Sequence, residues 1–351
     1  MDPRILYIFL SGVVGGLCAY LIGAPMPFML GGIVGAASFV IWYERNGKSL
    51  PILSRWVRLV FMSFIGAMIG SQFSPDLLTL LPQFWISALC LVPFILLAHG
   101  GSYTIMRKLG KYDKRDAFFA ALPGGIVDSA ALAEEAGADL RVVTTQHFIR
   151  IILVVCSVPF LFLLIQGEAV GSLAGESLAV SNYATKDVAL IGAIAIGGLL
   201  FGRWARLPVS HMLGPLLIAI ALSVTGFVEI NSPPWLVHLA QYMVGTALGA
   251  QFSGVSRELL VRGLGMGVLA GIYMLMLAAV FATLLVGRVP AEFSALFVSF
   301  SAGGLAEMSL IALSLNFNPV VVALHHLTRI LMTVWFASTF YRRVLPTEAP
   351  Q

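Results

Sequence analysis

The chain predicts an all-α polytopic membrane protein: two inverted repeats of five transmembrane helices each, with one glycine-broken re-entrant helix per repeat. Three observations predict it. Apolar runs of bilayer-crossing length, about 17–25 residues, recur along the whole sequence. The second half rewrites the first. Each half also holds a shorter apolar piece interrupted by paired glycines. With 59% hydrophobic and 11% charged residues and a mean hydropathy of +0.93, the chain lies far from soluble domains, where about 25% of residues are charged. The alternating segments of roughly ten residues that mark an outer-membrane barrel do not occur.

In the first half the runs are Ile5–Ile22, Phe28–Tyr43, Trp56–Phe73, Phe84–Ala98 and Val142–Gln166. In the second they are Val188–Gly202, His211–Phe227, Leu236–Phe252, Leu259–Val286 and Val320–Phe340. The first run, preceded by Arg4, resembles a signal peptide. A matching run opens the second half, so a retained helix is the expectation. Residues 1–166 and 187–345 thus form the repeats, and the polar stretch 167–186, with Glu168 and Glu176, joins them as an outer linker.

The repeat is explicit in the residues. Gly66–Ser74 returns as Gly245–Ser253, Gly124–Asp128 as Gly303–Glu307, and His147–Ile151 as His326–Ile330, each shifted by 179. Near the start of each half, Pro25–Gly31 matches Pro208–Gly214 at a shift of 183. These prolines are expected to shape turns and kinks. The broken pieces are Phe118–Ala136, interrupted at Gly124 and Gly125, and Phe293–Leu315, interrupted at Gly303 and Gly304.

Loop charge sets the expected topology. If each broken piece returns to its own side, the inner face collects Arg4, Arg45 to Arg58, Arg107 to Arg115, Arg203, Arg206, Arg257, Arg262, Arg342 and Arg343. Only Lys186 and Arg288 then lie outside. Full crossings would move Arg203, Arg206, Arg257 and Arg262 outward. The charge pattern therefore favours inverted repeats with both termini cytoplasmic.

A double glycine in an apolar helix frees backbone groups that lipid cannot satisfy, so such a break must be buried in protein or line a watery cavity. Paired breaks at matching positions of two repeats point to a central substrate or ion site. Asp128 and Glu307 follow the glycines, one acid per repeat, and an ionised carboxylate inside a bilayer costs at least about 2.5–3.5 kcal/mol. They read as proton-coupling groups or as static partners of arginine. Arg150 and Arg329 each follow a histidine, His147 or His326, by three residues and share its helix face. Each arginine is expected to neutralise an acid or to clamp a substrate carboxylate. The histidines could relay protons or simply pack, and His325 adds a second imidazole where the first half has Gln146. Glu134, Glu135, Asp139 and Arg141 read as a solvated rim.

No metalloprotease, cysteine-ligand, dinucleotide or phosphate-loop signature occurs, so no enzyme, no cofactor and no metal is expected. A site built from His325, His326 and Glu307 is the weakest alternative. Cys18, Cys90 and Cys156 lack paired spacing and read as small buried hydrophobes. The GxxxG spacings at Gly12/Gly16, Gly31/Gly35, Gly66/Gly70, Gly245/Gly249 and Gly263/Gly267/Gly271 suggest tight internal packing, with a homodimer face as the rival. No basic, aromatic-interleaved stripe suggests nucleic acid.

The P-x-x-x-M-L-G element (Pro25–Gly31, Pro208–Gly214), the Gly-Gly element with its acid and the His-x-x-Arg element together resemble the AbrB-like family of bacterial inner-membrane proteins. The likeness covers nearly the whole chain and implies a duplicated membrane domain. Its members are often labelled ammonia monooxygenases or regulators of gene expression, and the residues here support neither label. One departure is Ala302, which replaces the proline (Pro123) before the glycine pair, so the two breaks are expected to differ in shape.

The resulting expectation is secondary transport of a small polar or anionic solute, plausibly proton-coupled, with Gly124, Gly125, Asp128, His147, Arg150, Gly303, Gly304, Glu307, His326 and Arg329 at the site. The alternatives are a passive channel for a neutral or cationic species and a membrane-embedded enzyme or sensor. The topology has a direct test. A cysteine at Lys186 should react with an impermeant thiol reagent from outside and one at Arg203 only from inside; labelling from one side contradicts the inverted arrangement.

Overall fold

The computed structural model describes residues 3–48, 50, 55–73, 79, 81–166, 184–207, 209–226, 230–255, 257–315, 317 and 319–344. The described residues are helical, and the only strand-like feature among them is an isolated bridge between Val286 and Val289. Each apolar run of the sequence is a helix. They are α1 Pro3–Leu21, α2 Pro27–Arg45, α3 Arg55–Ser71 and α4 Trp85–Thr104, the last ending in a π-helical turn over Ile105–Leu109. After the first broken piece come α7 Leu140–Gln166, α8 Thr185–Trp204, α9 Ser210–Val224, α10 Pro234–Ala250 and α11 Arg257–Leu285. The broken pieces are helix pairs: α5 Lys114–Ala120 with α6 Ile126–Glu135, and α12 Phe293–Phe300 with α13 Leu305–Ser314. Finally α14 spans Pro319–Val344.

Seven of these helices (α1, α2, α4, α7, α8, α11 and α14) are long and apolar enough to cross a membrane. Helices α3, α9 and α10, with 17, 15 and 17 residues, are shorter. All six tryptophans are exposed, as suits aromatic rings that anchor helix ends at a membrane interface. Helix α1 turns Leu6, Leu10, Val14, Leu17 and Leu21 outward, and Cys18 is exposed beside them. Cys18 is therefore not the small buried hydrophobe its sequence context suggested. An apolar helix facing lipid has no reason to bury it.

Helix ends follow short-range polar chemistry. Asp113 caps α5, its carboxylate accepting the Arg115 amide at 3.0 Å, and that hydrogen bond holds the carboxyl below its usual range. Asp139 caps α7 by accepting the Arg141 amide at 2.8 Å. Near the start of α8, Asp187 accepts the Ala184 amide at 2.8 Å. Met26 before α2 and Val209 before α9 are both left-handed, at φ 45° and 47°. They occupy corresponding positions of the two P-x-x-x-M-L-G elements. Pro208 itself and all but the last three residues of the linker 167–186 lie outside the described residues.

The chain forms two compact units, and neither is a sequence half. Unit one comprises Met1–Leu80, Cys156–Gly254 and Ser309–Val320; unit two comprises Leu81–Val155, Val255–Met308 and Val321–Gln351. In unit one the halves exchange partners. Helix α3 of the first half packs on α9 of the second, where a Cβ at Gly66 would strike the Met212 carbonyl and one at Gly70 would lie 2.5 Å from the Leu216 carbonyl. Helix α10 packs on α2 in the same way, Gly245 against the Met29 carbonyl and Gly249 at 2.5 Å from the Ile33 carbonyl. The glycine stripes thus serve internal packing. Glycine is needed here because no side chain fits between touching backbones.

Gly245→Ala should lower the melting temperature of the purified protein by an amount corresponding to about 1–3 kcal/mol, the typical cost of overpacking. Gly192→Ala, whose added Cβ meets nothing within 4 Å, should leave melting unchanged or raise it. Equal behaviour of the two variants would contradict the packing role.

Candidate functional site

Both helix breaks, both acids and both His-x-x-Arg elements lie in unit two. A helix that stops inside apolar surroundings leaves its last carbonyls without amide partners. At the first break, α5 ends at Ala120, and the Arg150 guanidinium donates to the Leu122 carbonyl at 2.6 Å and the Gly124 carbonyl at 3.2 Å. At the second, α12 ends at Phe300, and Arg329 donates to Ser301 at 2.9 Å, Gly303 at 3.2 Å and Phe300 at 3.3 Å. Leu122 and Ser301, like Gly124 and Gly303, are equivalent positions of the repeat. Each arginine therefore caps the C-terminal end of its own half-helix, where a cation also suits the helix dipole.

Sequence reasoning missed this role, having assigned the arginines to acids or substrate. The guanidinium has five donors in a planar fork, and backbone carbonyls engage at least two of them. The Nε of each arginine has no hydrogen-bond partner, although Arg150 is 3% and Arg329 2% exposed.

The glycine pairs have a steric rather than a torsional reason, since none of the four has a left-handed φ. A Cβ at Gly124 would lie 2.9 Å from Thr333 Cγ2, and one at Gly303 2.5 Å from Met308 Cε. At the second glycine of each pair the obstacle is the acid itself. A Cβ at Gly125 would stand 2.9 Å from Asp128 Oδ2, and one at Gly304 would overlap the Glu307 carboxylate. Both acids are the third residue of a helix whose N-cap is that glycine. Each folds back over its own helix N-terminus, where amide donors and the dipole favour negative charge. Asp128 is half-buried and Glu307 buried.

Helix α14 links the two breaks. Its Arg329 caps the second, while Ile330 and Thr333 lie against Gly125 and Gly124 of the first. Helix α7, carrying His147 and Arg150, runs against the α11 glycines: a Cβ at Gly267 would lie 2.6 Å from Ile149, and Gln146 donates to the Gly263 carbonyl at 3.1 Å. Packed beneath the first break are Phe118, Phe119, Leu122, Ala133, Val143 and Ala337.

The histidines differ between halves. His147 sits between Arg150, at 3.1 Å from Nδ1, and the Phe119 carbonyl, at 2.9 Å from Nε2. Since arginine only donates, this network assigns the proton to Nε2. In the second half, His326 Nδ1 meets the Val322 carbonyl at 2.9 Å. His325 bridges the Val321 carbonyl at 2.8 Å and the Ser87 hydroxyl at 2.9 Å; Ser87 carried no signal in the sequence. Among the described residues no group of three or more His, Cys, Asp or Glu could hold a metal ion. Glu134, Glu135, Asp139 and Arg141 are exposed, and Glu135 accepts the Tyr341 hydroxyl at 3.1 Å. The breaks also differ in shape. Ala121 after α5 stays helical, whereas Ser301 after α12 is extended (ψ 129°) and its carbonyl receives the Gly303 amide at 2.9 Å.

Removing either guanidinium should strand buried carbonyls, at about 1–3 kcal/mol each. Arg150→Met should therefore cost at least about 2 kcal/mol in a detergent melting assay, and Arg329→Met more, because it holds three carbonyls. Unchanged melting in both would contradict the capping role.

Comparison with known proteins identifies the family. The family described as "Transition state regulatory protein AbrB" matches residues 28–345. The chain is 26% identical to the Bacillus subtilis (strain 168) protein YhjN, over 96% of this chain and 92% of that protein. It is 23% identical to the Escherichia coli (strain K12) protein named "Putative regulator AbrB", over 96% and 94%. Spanning nearly all of its length, the family match makes this chain a member of the AbrB family, built here as a helical protein with multiple membrane-capable segments.

Proposed function

We propose that the protein is a secondary transporter of a small polar or anionic solute, driven by the proton gradient across a bacterial inner membrane. One observation carries the reading. Two helix interruptions, each with an arginine on the carbonyls of the break and an acid beside the N-terminus of the helix that follows, occur together in one unit. Interrupted helices of this kind are how transporters present backbone and charge to a solute within the bilayer. The seven long helices together with the shorter α3, α9 and α10 would cross the membrane as two inverted repeats, with the broken pieces returning to their own sides and both termini in the cytoplasm. Asp128 and Glu307 would gain and release the coupling protons. His147, hydrogen-bonded at both ring nitrogens, serves the reading better as a brace for Arg150 than as a relay.

The regulator names of the family and of the Escherichia coli relative are compatible with transport. A change in internal solute concentration reaches gene expression without contact between this protein and DNA. Enzymatic chemistry would need a reaction centre, and the residues around the breaks are committed to holding backbone.

Proteoliposomes with an imposed pH gradient test the proposal. Wild-type protein should accumulate a solute identified by ligand-induced thermal shift, and an uncoupler should abolish accumulation. Asp128→Asn and Glu307→Gln should fold yet lose accumulation at least about tenfold, as expected when a positioned proton carrier is removed. Uptake insensitive to the uncoupler would indicate a passive channel instead.

A further inference from the structure

We infer that the paired breaks form a binding site for a small carboxylate, and that Asp128 and Glu307 are its tethered resting occupants. The inference rests on the transport reading and narrows its substrate to one charge and one chemical group. The choice between anion and cation is made by what already holds the backbone. A broken helix offers carbonyls at one end and amides at the other, so it can bind either sign. Here the carbonyl ends are taken. Arg150 holds Leu122 and Gly124, and Arg329 holds Phe300, Ser301 and Gly303. A cation at those oxygens would have to displace a fixed guanidinium and then sit beside it.

The amide ends tell the opposite story. Helices α6 and α13 each begin at the second glycine of a pair, and in each a carboxylate of the same helix lies over that glycine. A side chain at either glycine would crowd this seat: a Cβ at position 125 would lie 2.9 Å from Asp128 Oδ2, and one at 304 would overlap the Glu307 carboxylate. A carboxylate thus already lies beside both helix N-termini, where an anion from solution would be favoured by the dipole. The arginines supply a second, independent indication. Each is more than nine-tenths buried, its guanidinium is seated against the first glycine of the pair, and its Nε–H has no partner. The two breaks thus carry one arginine and one acid each. A solute carboxylate entering there replaces like with like, and the acid it displaces must swing away or take a proton. Exchange of a tethered carboxylate for a free one gives the site both its selectivity and its reason for carrying acids.

The test is a binding titration on the full-length protein in detergent, followed by thermal melting. Choline salts of acetate, pyruvate and succinate, and inorganic phosphate, are compared with sodium, potassium and ammonium chlorides, at ionic strength fixed with choline chloride. A saturable upward shift with at least one carboxylate is expected, and none with the cations. Neutralising the tethered occupant should tighten carboxylate binding about tenfold in Glu307→Gln, and in the same direction in Asp128→Asn, the scale of a partly buried charge at a helix terminus. A cation site with acidic ligands predicts the reverse, loss of binding in both variants. Saturable shifts from a cation, from phosphate alone, or from no carboxylate would each overturn the inference, and the wild-type titration decides this even if a variant fails to fold. Carboxylate binding without gradient-driven uptake would sink the transport reading and spare this one; proton-driven uptake with cation-only binding would do the opposite.

Discussion

The structure depends on the rule that a backbone carbonyl cannot be left bare in apolar surroundings. Interrupting a helix exposes several at once. Here one arginine per break engages them, Arg150 with two and Arg329 with three. The solution is demanding, because it places a guanidinium where neither water nor lipid can support it. Five planar donors make arginine suited to the task and lysine a poor substitute. Once the carbonyl ends are held this way, the amide ends of α6 and α13 are the remaining polar backbone at the breaks. The acids lie there.

A related constraint governs unit one. Helices without a break have no polar backbone to offer, so close contact must come from shape. The small residues do this by letting backbones touch, Gly66 and Gly70 against α9, Gly245 and Gly249 against α2. Each half also packs internally, α1 on α2 and α8 on α9, so the exchange of partners adds contacts between halves to those within each. The two helix breaks lie in one unit and the glycine-seamed pairs of α2, α3, α9 and α10 in the other. Polar, interrupted backbone and close glycine packing are thus found in different units of the chain.

Much of the candidate site was legible. Gly124–Gly125 and Gly303–Gly304 announced breaks, and the helices stop and restart around them. Asp128 and Glu307 stood three residues into the new helix by counting alone. The partners of Arg150 and Arg329 were not legible. A guanidinium accepts a carboxylate, a substrate or a carbonyl equally well, and the carbonyls it found lie 26 to 29 residues away. Nor could the sequence show why each second glycine is glycine. The usual reason, a left-handed backbone, is absent there, and the actual one is a carboxylate folded over the Cα. Cys18 illustrates the same limit on the surface, since an apolar run does not say which face meets lipid.

By itself the sequence determined the helical class, the helix positions, the duplication and the positions of the two interruptions. These follow from local hydropathy, from glycine and proline, and from identity at a fixed offset, none of which needs a folded chain. Tertiary structure alone decided that α3 meets α9 and α10 meets α2, that both breaks share one unit, and that the arginines serve carbonyls. Those outcomes depend on distances between segments far apart in sequence, where many pairings satisfy the same hydropathy and only backbone geometry and buried hydrogen bonding choose among them.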